Sequence, residues 1–125
     1  MNIGIIGQGF VGSAISEGLK NHYKINTYDL DETKCNSTHE EVCIKSDIIF
    51  LCLPTPMRKD GSCDTRILES VLQSSYNLIK ENQKFPKHAS FLDKVNKNRK
   101  ILIIKSTVPP GTTESLNKKC ETIKI

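Results

Sequence analysis

The chain has 125 residues, a net charge of +4 and 37% hydrophobic residues, enough for one domain whose folding removes roughly two-thirds of the unfolded surface from water. Its longest wholly apolar run, Ile48–Leu53, is far short of the about 20 residues that cross a membrane, and no basic leader precedes an apolar stretch, so neither a membrane partner nor a secretory signal is expected. Residues 80–105 carry eight basic and two acidic side chains; with only Phe85 and Phe91 among the lysines and no recognition motif, a solvated surface is expected there rather than a nucleic-acid face.

Short apolar runs then alternate with amphipathic stretches. Asn2–Ile6 reads as a strand that ends in glycine. Phe10–Lys20 follows as a helix, with Val11, Ala14, Ile15 and Leu19 at helical spacing. Lys24–Tyr28 is a second strand, and Glu40–Lys45 has room for one helical turn. Asp47–Leu53, apolar without a break from Ile48 on, is a run of the kind buried on both faces of a parallel sheet. Thr65–Lys80 reads as a helix with Asp64 before it as the N-cap. Lys100–Ile104 is another strand, Thr112–Cys120 a short helix capped by Thr112 or Thr113, and Thr122–Ile125 the start of one more strand. Residues 82–99 are polar and basic, contain Pro86, and are expected to form a surface excursion. Strand–helix alternation of this kind gives an α/β sheet with right-handed crossovers.

The five cysteines, Cys35, Cys43, Cys52, Cys63 and Cys120, are odd in number, irregular in spacing and without a CxxC. Neither a disulfide framework nor a metal site is expected, and a reducing, cytoplasmic compartment fits best. Cys52 falls in the buried strand and Cys120 on a surface helix; all five are expected to be inert thiols.

Gly7-Gln8-Gly9-Phe10-Val11-Gly12 fits GxGxxG between a strand and a helix. Gly7 permits the tight turn, Gly9 lets a pyrophosphate approach bare backbone, and Gly12 lets the helix pack closely on the strand. The helix start then offers free N–H groups to the phosphates. Asp29 lies 22 residues after Gly7, at the end of the second strand, where a carboxylate accepts hydrogen bonds from ribose hydroxyls and repels a 2′-phosphate. NAD is therefore expected in preference to NADP. Two further loops leave strand ends: Leu53-Pro54-Thr55-Pro56-Met57 running to Asp60-Gly61-Ser62, where the prolines direct the Thr55 hydroxyl, and Lys105-Ser106-Thr107-Val108-Pro109-Pro110-Gly111-Thr112. In an open α/β sheet both would line the nicotinamide half of the cleft.

Taken together, the glycine loop, Tyr28-Asp29-Leu30-Asp31 and these two loops resemble the N-terminal domain of the UDP-glucose/GDP-mannose dehydrogenase family, in order and over nearly the whole chain. The resemblance implies a Rossmann-type doubly wound sheet, mostly parallel, with helices on both faces. It implies a four-electron oxidation at C6 of a nucleotide sugar: NAD takes a hydride to give an aldehyde, a cysteine thiol adds, a second NAD oxidises the adduct to a thioester, and water releases the uronate. It also implies that Gly7, Gly9, Phe10, Val11 and Gly12 face the pyrophosphate, that Asp29 binds the adenine ribose with Lys34 near it, and that Thr55 lies along the cofactor. Thr107 would sit by the nicotinamide and help to order the catalytic water.

The family's catalytic glutamate, lysine, asparagine and cysteine would all fall beyond Ile125. Residues 1–125 are therefore expected to be the NAD-binding domain of a longer, homo-oligomeric enzyme, since Thr122–Ile125 is an odd place to stop. Asp29 and Thr55 are only 26 residues apart, so the second crossover is short, whereas the link at 82–99 is long for the family. A stand-alone NAD-binding module without catalysis stays open, as does a β-hydroxyacid-type dehydrogenase, which the short crossover would suit. UDP-glucose, GDP-mannose and UDP-N-acetylhexosamines are all open as the sugar.

Overall fold

The computed structural model describes residues 1–82, 100–120 and 125. Among these, β1 (Asn2–Ile6), β2 (Lys24–Tyr28), β3 (Ile48–Leu51) and β4 (Ile101–Ile104) form one sheet in the order β2-β1-β3-β4, with every neighbouring pair parallel. The helices are α1 (Phe10–Leu19), α2 (His39–Lys45), α3 (Arg66–Asn82) and α4 (Thr112–Lys119), and Glu32–Lys34 forms a 3-10 turn that the sequence pattern did not reveal. Of the expected excursion at 82–99, Asn82 ends α3 and 83–99 lie outside the described residues; so do 122–124 of the expected last strand.

The chain leaves β1 to one side through α1 and returns past it through α2. Right-handed crossovers therefore put α1 and α2 on opposite faces, and the sheet order reverses next to β1, where open α/β sheets form a ligand crevice. Side-chain alternation agrees. A Cβ on Gly12 of α1 would lie 3.4 Å from Ile5, whereas one on Gly4 would lie 2.7 Å from Val42 of α2. The main core sits on the α2 face: Ile6, Val42, Ile49, Leu51, Leu68, Leu72, Ile79, Leu102 and Leu116 pack as one buried cluster.

Burial of β3 on both faces is corrected. Ile49 and Leu51 are fully buried, but Ile48 and Phe50, which point to the α1 side, are only half-buried. The reason is positional: α1 rests on β1 and β2, not on β3. Cys52 lies just past the end of β3 rather than within it.

Helix ends account for three further differences. α2 has seven residues because Thr38 and Glu41 form a reciprocal capping box, each side chain accepting from the other's backbone N–H. Its C-terminal carbonyls are met by Lys100 Nζ, which donates to Ile44 O at 2.7 Å and Ser46 O at 2.6 Å. Asp64 does accept from Arg66 N at 3.1 Å, but Thr65 stands between it and the helix, and its carboxylate is also paired with the Arg66 guanidinium. The cap of α4 is neither Thr112 nor Thr113 but Gly111, whose φ of 86° favours glycine; the Thr112 hydroxyl donates to Pro109 O instead. Cys120, expected at the surface, is buried at the foot of α4.

β2 is an edge strand, and the chain covers it itself. Asn36 accepts from Thr27 N with its side-chain oxygen and donates to Ile25 O with its side-chain nitrogen, satisfying groups that would otherwise template a foreign strand.

Candidate functional site

The glycine turn is held by contacts that leave no room for side chains. Gly7 adopts a φ of 96° and donates its N–H to Tyr28 O at 2.8 Å; a Cβ there would collide with Cys52 O. A Cβ on Gly12 would collide with Gly7 O, so α1 can lie this close to the turn only with glycine at that position. Gly9 is the opposite case, because a Cβ there would meet nothing within 4 Å. It is the N-cap of α1, it brings no capping side chain, and the first turn holds no acid. The backbone N–H groups at the start of α1 are thus left to an outside acceptor, the arrangement that binds phosphate.

Asp29 reaches this turn from the end of β2. Its carboxylate accepts from Gln8 N at 2.7 Å and from Asp31 N at 2.9 Å. These two bonds, Asp31's first, hold its carboxyl below the usual carboxylate range, so it is ionised at neutral pH. Each oxygen keeps a spare lone pair for a ligand hydroxyl. The Asp29 backbone is fixed in turn by Cys35: the Asp29 N–H donates to Cys35 Sγ, and that thiol donates to Asp29 O, both at 3.0 Å.

The two loops after β3 and β4 are stitched together. Ser106 Oγ accepts from Leu53 N at 2.9 Å and donates to Leu53 O at 2.7 Å, in effect adding one rung to the β3–β4 ladder beyond its last backbone pair. The Thr55 hydroxyl, directed by its prolines, donates to Thr107 O at 2.7 Å. Cys63 Sγ lies 3.5 Å from the same carbonyl. The segment between them is a small hairpin: Met57 bridges Cys63, and Gly61, at φ 86°, turns its tip.

These parts surround one cavity of about 630 Å³, within the usual size for a small-molecule site. Gly7, Gly9, Phe10, Val11, Asp29, Lys34, Thr55 and Thr107 all line it. Gly12 does not; its contribution is the close packing just described. Sequence reasoning missed Tyr28 and His39, which stack on each other next to Asp29, Ile67, Val71 and Ser74 of α3, and Lys105 and Ser106 beside Thr107, all of which line the cavity. Ser106 and Lys105 stood beside Thr107 in a motif already singled out, but nothing local marked His39 or α3 as cavity wall. Cys52 lines the cavity too, and burial pushes its thiol up. Among the described residues no cluster of His, Cys, Asp and Glu has metal-binding geometry, and no helix is long and apolar enough to cross a membrane.

Bare backbone at Gly9, an open helix N-terminus and a carboxylate one strand over suit a pyrophosphate flanked by a ribose, and they sit at a switch point of a parallel sheet. The fold and the site define a dinucleotide-binding domain of the Rossmann type. Residues 35–124 match the UDP-glucose/GDP-mannose dehydrogenase family, NAD binding domain, and the chain belongs to that family; the cofactor of this domain is NAD. The uncharacterized protein MJ1054 of Methanocaldococcus jannaschii is 33% identical over 141 residues, covering 90% of this chain. YtcA of Bacillus subtilis, provisionally named a UDP-glucose 6-dehydrogenase, is 36% identical over 72 residues, 58% of this chain. The match spans 14% of the length of the first relative and 13% of the second. The fold is that of a UDP-glucose dehydrogenase from Pyrobaculum islandicum, with a TM-score of 0.71 at 21% identity over 98% of this chain and 34% of that one.

Proposed function

We propose that this chain is the cofactor-binding part of an NAD-dependent nucleotide-sugar 6-dehydrogenase, which oxidises the C6 hydroxyl of a sugar such as that of UDP-glucose to a carboxylate. The observation that carries the reading is the shared cavity, which the Asp29 carboxylate, Gly9 and the Thr55–Thr107 pair all line, so that one dinucleotide could meet a ribose anchor, a pyrophosphate seat and a nicotinamide neighbour in a single space. Bound NAD would supply the hydride acceptor. Gly7, Gly9, Phe10 and Val11 would hold the pyrophosphate by backbone, with Gly12 keeping the helix start in place. Asp29 would bind the adenine ribose and Lys34 would stand beside it. Thr55 would act on the cofactor mainly by fixing Thr107, since its own proton is donated to Thr107 O. Thr107, whose hydroxyl no described residue engages, would stand by the nicotinamide and hold the catalytic water. The substrate partner is a nucleotide sugar, and the longer protein works as a cytoplasmic homo-oligomer without nucleic acid or membrane.

Two measurements test this. NAD should raise the unfolding temperature of the chain more than NADP does; equal shifts would remove Asp29 from its role. The full-length protein should reduce two NAD per UDP-sugar consumed, and turnover of 3-hydroxyacids in place of nucleotide sugars would overturn the assignment.

A further inference from the structure

The cavity wall next to Asp29 has a feature that NAD binding alone does not call for. His39, the first residue of α2, stacks on Tyr28 with ring centroids 5.3 Å apart and planes 14° from parallel. Its Nε2 lies 2.9 Å from Ser75 Oγ on α3. Ser75 Oγ is also 2.8 Å from Val71 O. A carbonyl can only accept, so the single Ser75 proton goes to Val71 O, and Ser75 must accept from His39. That fixes the tautomer: Nε2 carries the hydrogen and Nδ1 carries a lone pair.

No protein group meets Nδ1 among the described residues, and it is not one of the buried polar atoms left without a partner. It is therefore accessible, on a half-buried residue that lines the cavity. Burial pushes the His39 imidazole below its ordinary range, which keeps the ring neutral at pH 7. Two other polar side chains of the cavity behave differently. Ser74 can donate or accept, and the Lys34 ammonium only donates. Nδ1 is thus a neutral side-chain atom that only accepts, unlike Ser74 and Lys34, and apolar Leu30, Ile67 and Val71 line the same cavity.

We propose that His39 Nδ1 selects the base of the dinucleotide by accepting a hydrogen bond from an exocyclic amino group, so that the site takes an adenine and discriminates against a base with a carbonyl in that place. The proposal rests on the NAD reading above and adds a specificity-determining residue to it. Tyr28 is bonded to Asp29 in the chain, so the stack stands one residue from the proposed ribose anchor. A carbonyl brought to Nδ1 would set two lone pairs against each other, which is the kind of mismatch that gives strong discrimination.

The test compares NAD with nicotinamide hypoxanthine dinucleotide, in which the amino group is replaced by a carbonyl, by calorimetric titration at pH 7.5. The chain should bind NAD about fivefold to tenfold more tightly, and His39→Phe, which keeps a stacked ring and loses the acceptor, should bring the ratio to about one. Equal affinities in the unaltered chain, or an undiminished preference in folded His39→Phe, would overturn the proposal while leaving NAD binding intact. Failure of the folded chain to bind either dinucleotide would instead remove the NAD reading and this inference with it. A second measurement needs no variant. Nitrogen-15 spectra of the three histidines should show one ring protonated at Nε2 whose Nδ1 resonance moves with NAD and not with the hypoxanthine analogue. A proton on Nδ1 in the free protein, or the same response to both ligands, would be the contrary result.

Discussion

The Asp29 carboxylate crosses from the end of β2 to accept the Gln8 N–H at 2.7 Å, in the middle of the glycine turn. One side chain therefore shapes the turn and presents the lone pairs that a ribose would use. Replacing Asp29 with alanine removes both. NAD affinity should fall by about 1.5–3 kcal/mol, the range of a hydrogen bond to a charged group. Asp29→Asn, which keeps an oxygen for Gln8 N, should retain more of the thermal stability while losing much of the affinity. Calorimetry and thermal unfolding of the two variants separate these effects, and an Asp29→Ala chain with unaltered affinity would reject the ribose assignment.

Gly9 and Gly12 should behave in opposite ways. A Cβ at Gly9 meets open space, so Gly9→Ala should fold with nearly the parent stability and bind NAD less well. Gly12→Ala drives a methyl into Gly7 O. It should cost about 3 kcal/mol or more, the range of severe core clashes, measurable as a shift in the urea midpoint.

The Ser106 bracket on Leu53 holds the two site loops together. Ser106→Ala leaves the Leu53 N–H and carbonyl without partners in a part-buried place, at a cost of about 2 kcal/mol. Thr107 should then become mobile, and the catalytic rate of the full-length enzyme should fall more than its affinity for NAD. A loss confined to stability would make the bracket structural only.

His39 makes the fold sensitive to mild acid. Burial lowers its affinity for a proton in the folded chain, whereas the unfolded chain binds one near the ordinary value of about 6.5. The stability it contributes is complete above that pH and is lost as the pH falls through the folded value. Asp29, held low by its two N–H donors, contributes above the ordinary carboxylate value and is lost only in stronger acid. Denaturation curves at pH 7 and pH 5 should differ in the parent and differ less in His39→Phe.

Local physics made much of this molecule legible in advance. Short apolar runs marked β1 to β4, three glycines marked the turn, and the acid at the end of β2 followed from spacing. Each of these needs only residues a few positions apart, or one fixed crossover length. The family motifs extended that reading to both site loops, because Pro54, Pro56 and the Ser106–Thr107 pair carry their backbone preferences with them.

What the sequence left undetermined lies in contacts between distant residues. The bond from Ser106 to Leu53 spans 53 positions, that from Thr55 to Thr107 spans 52, and that from His39 to Ser75 spans 36. Such pairs exist because the parallel registers of β3 and β4, and the packing of α2 on α3, bring those atoms together. The half-exposure of Phe50 and the burial of Cys120 likewise depend on which face a helix happens to cover. Composition and periodicity say that a side chain is apolar or polar; only the folded arrangement of elements says what it meets.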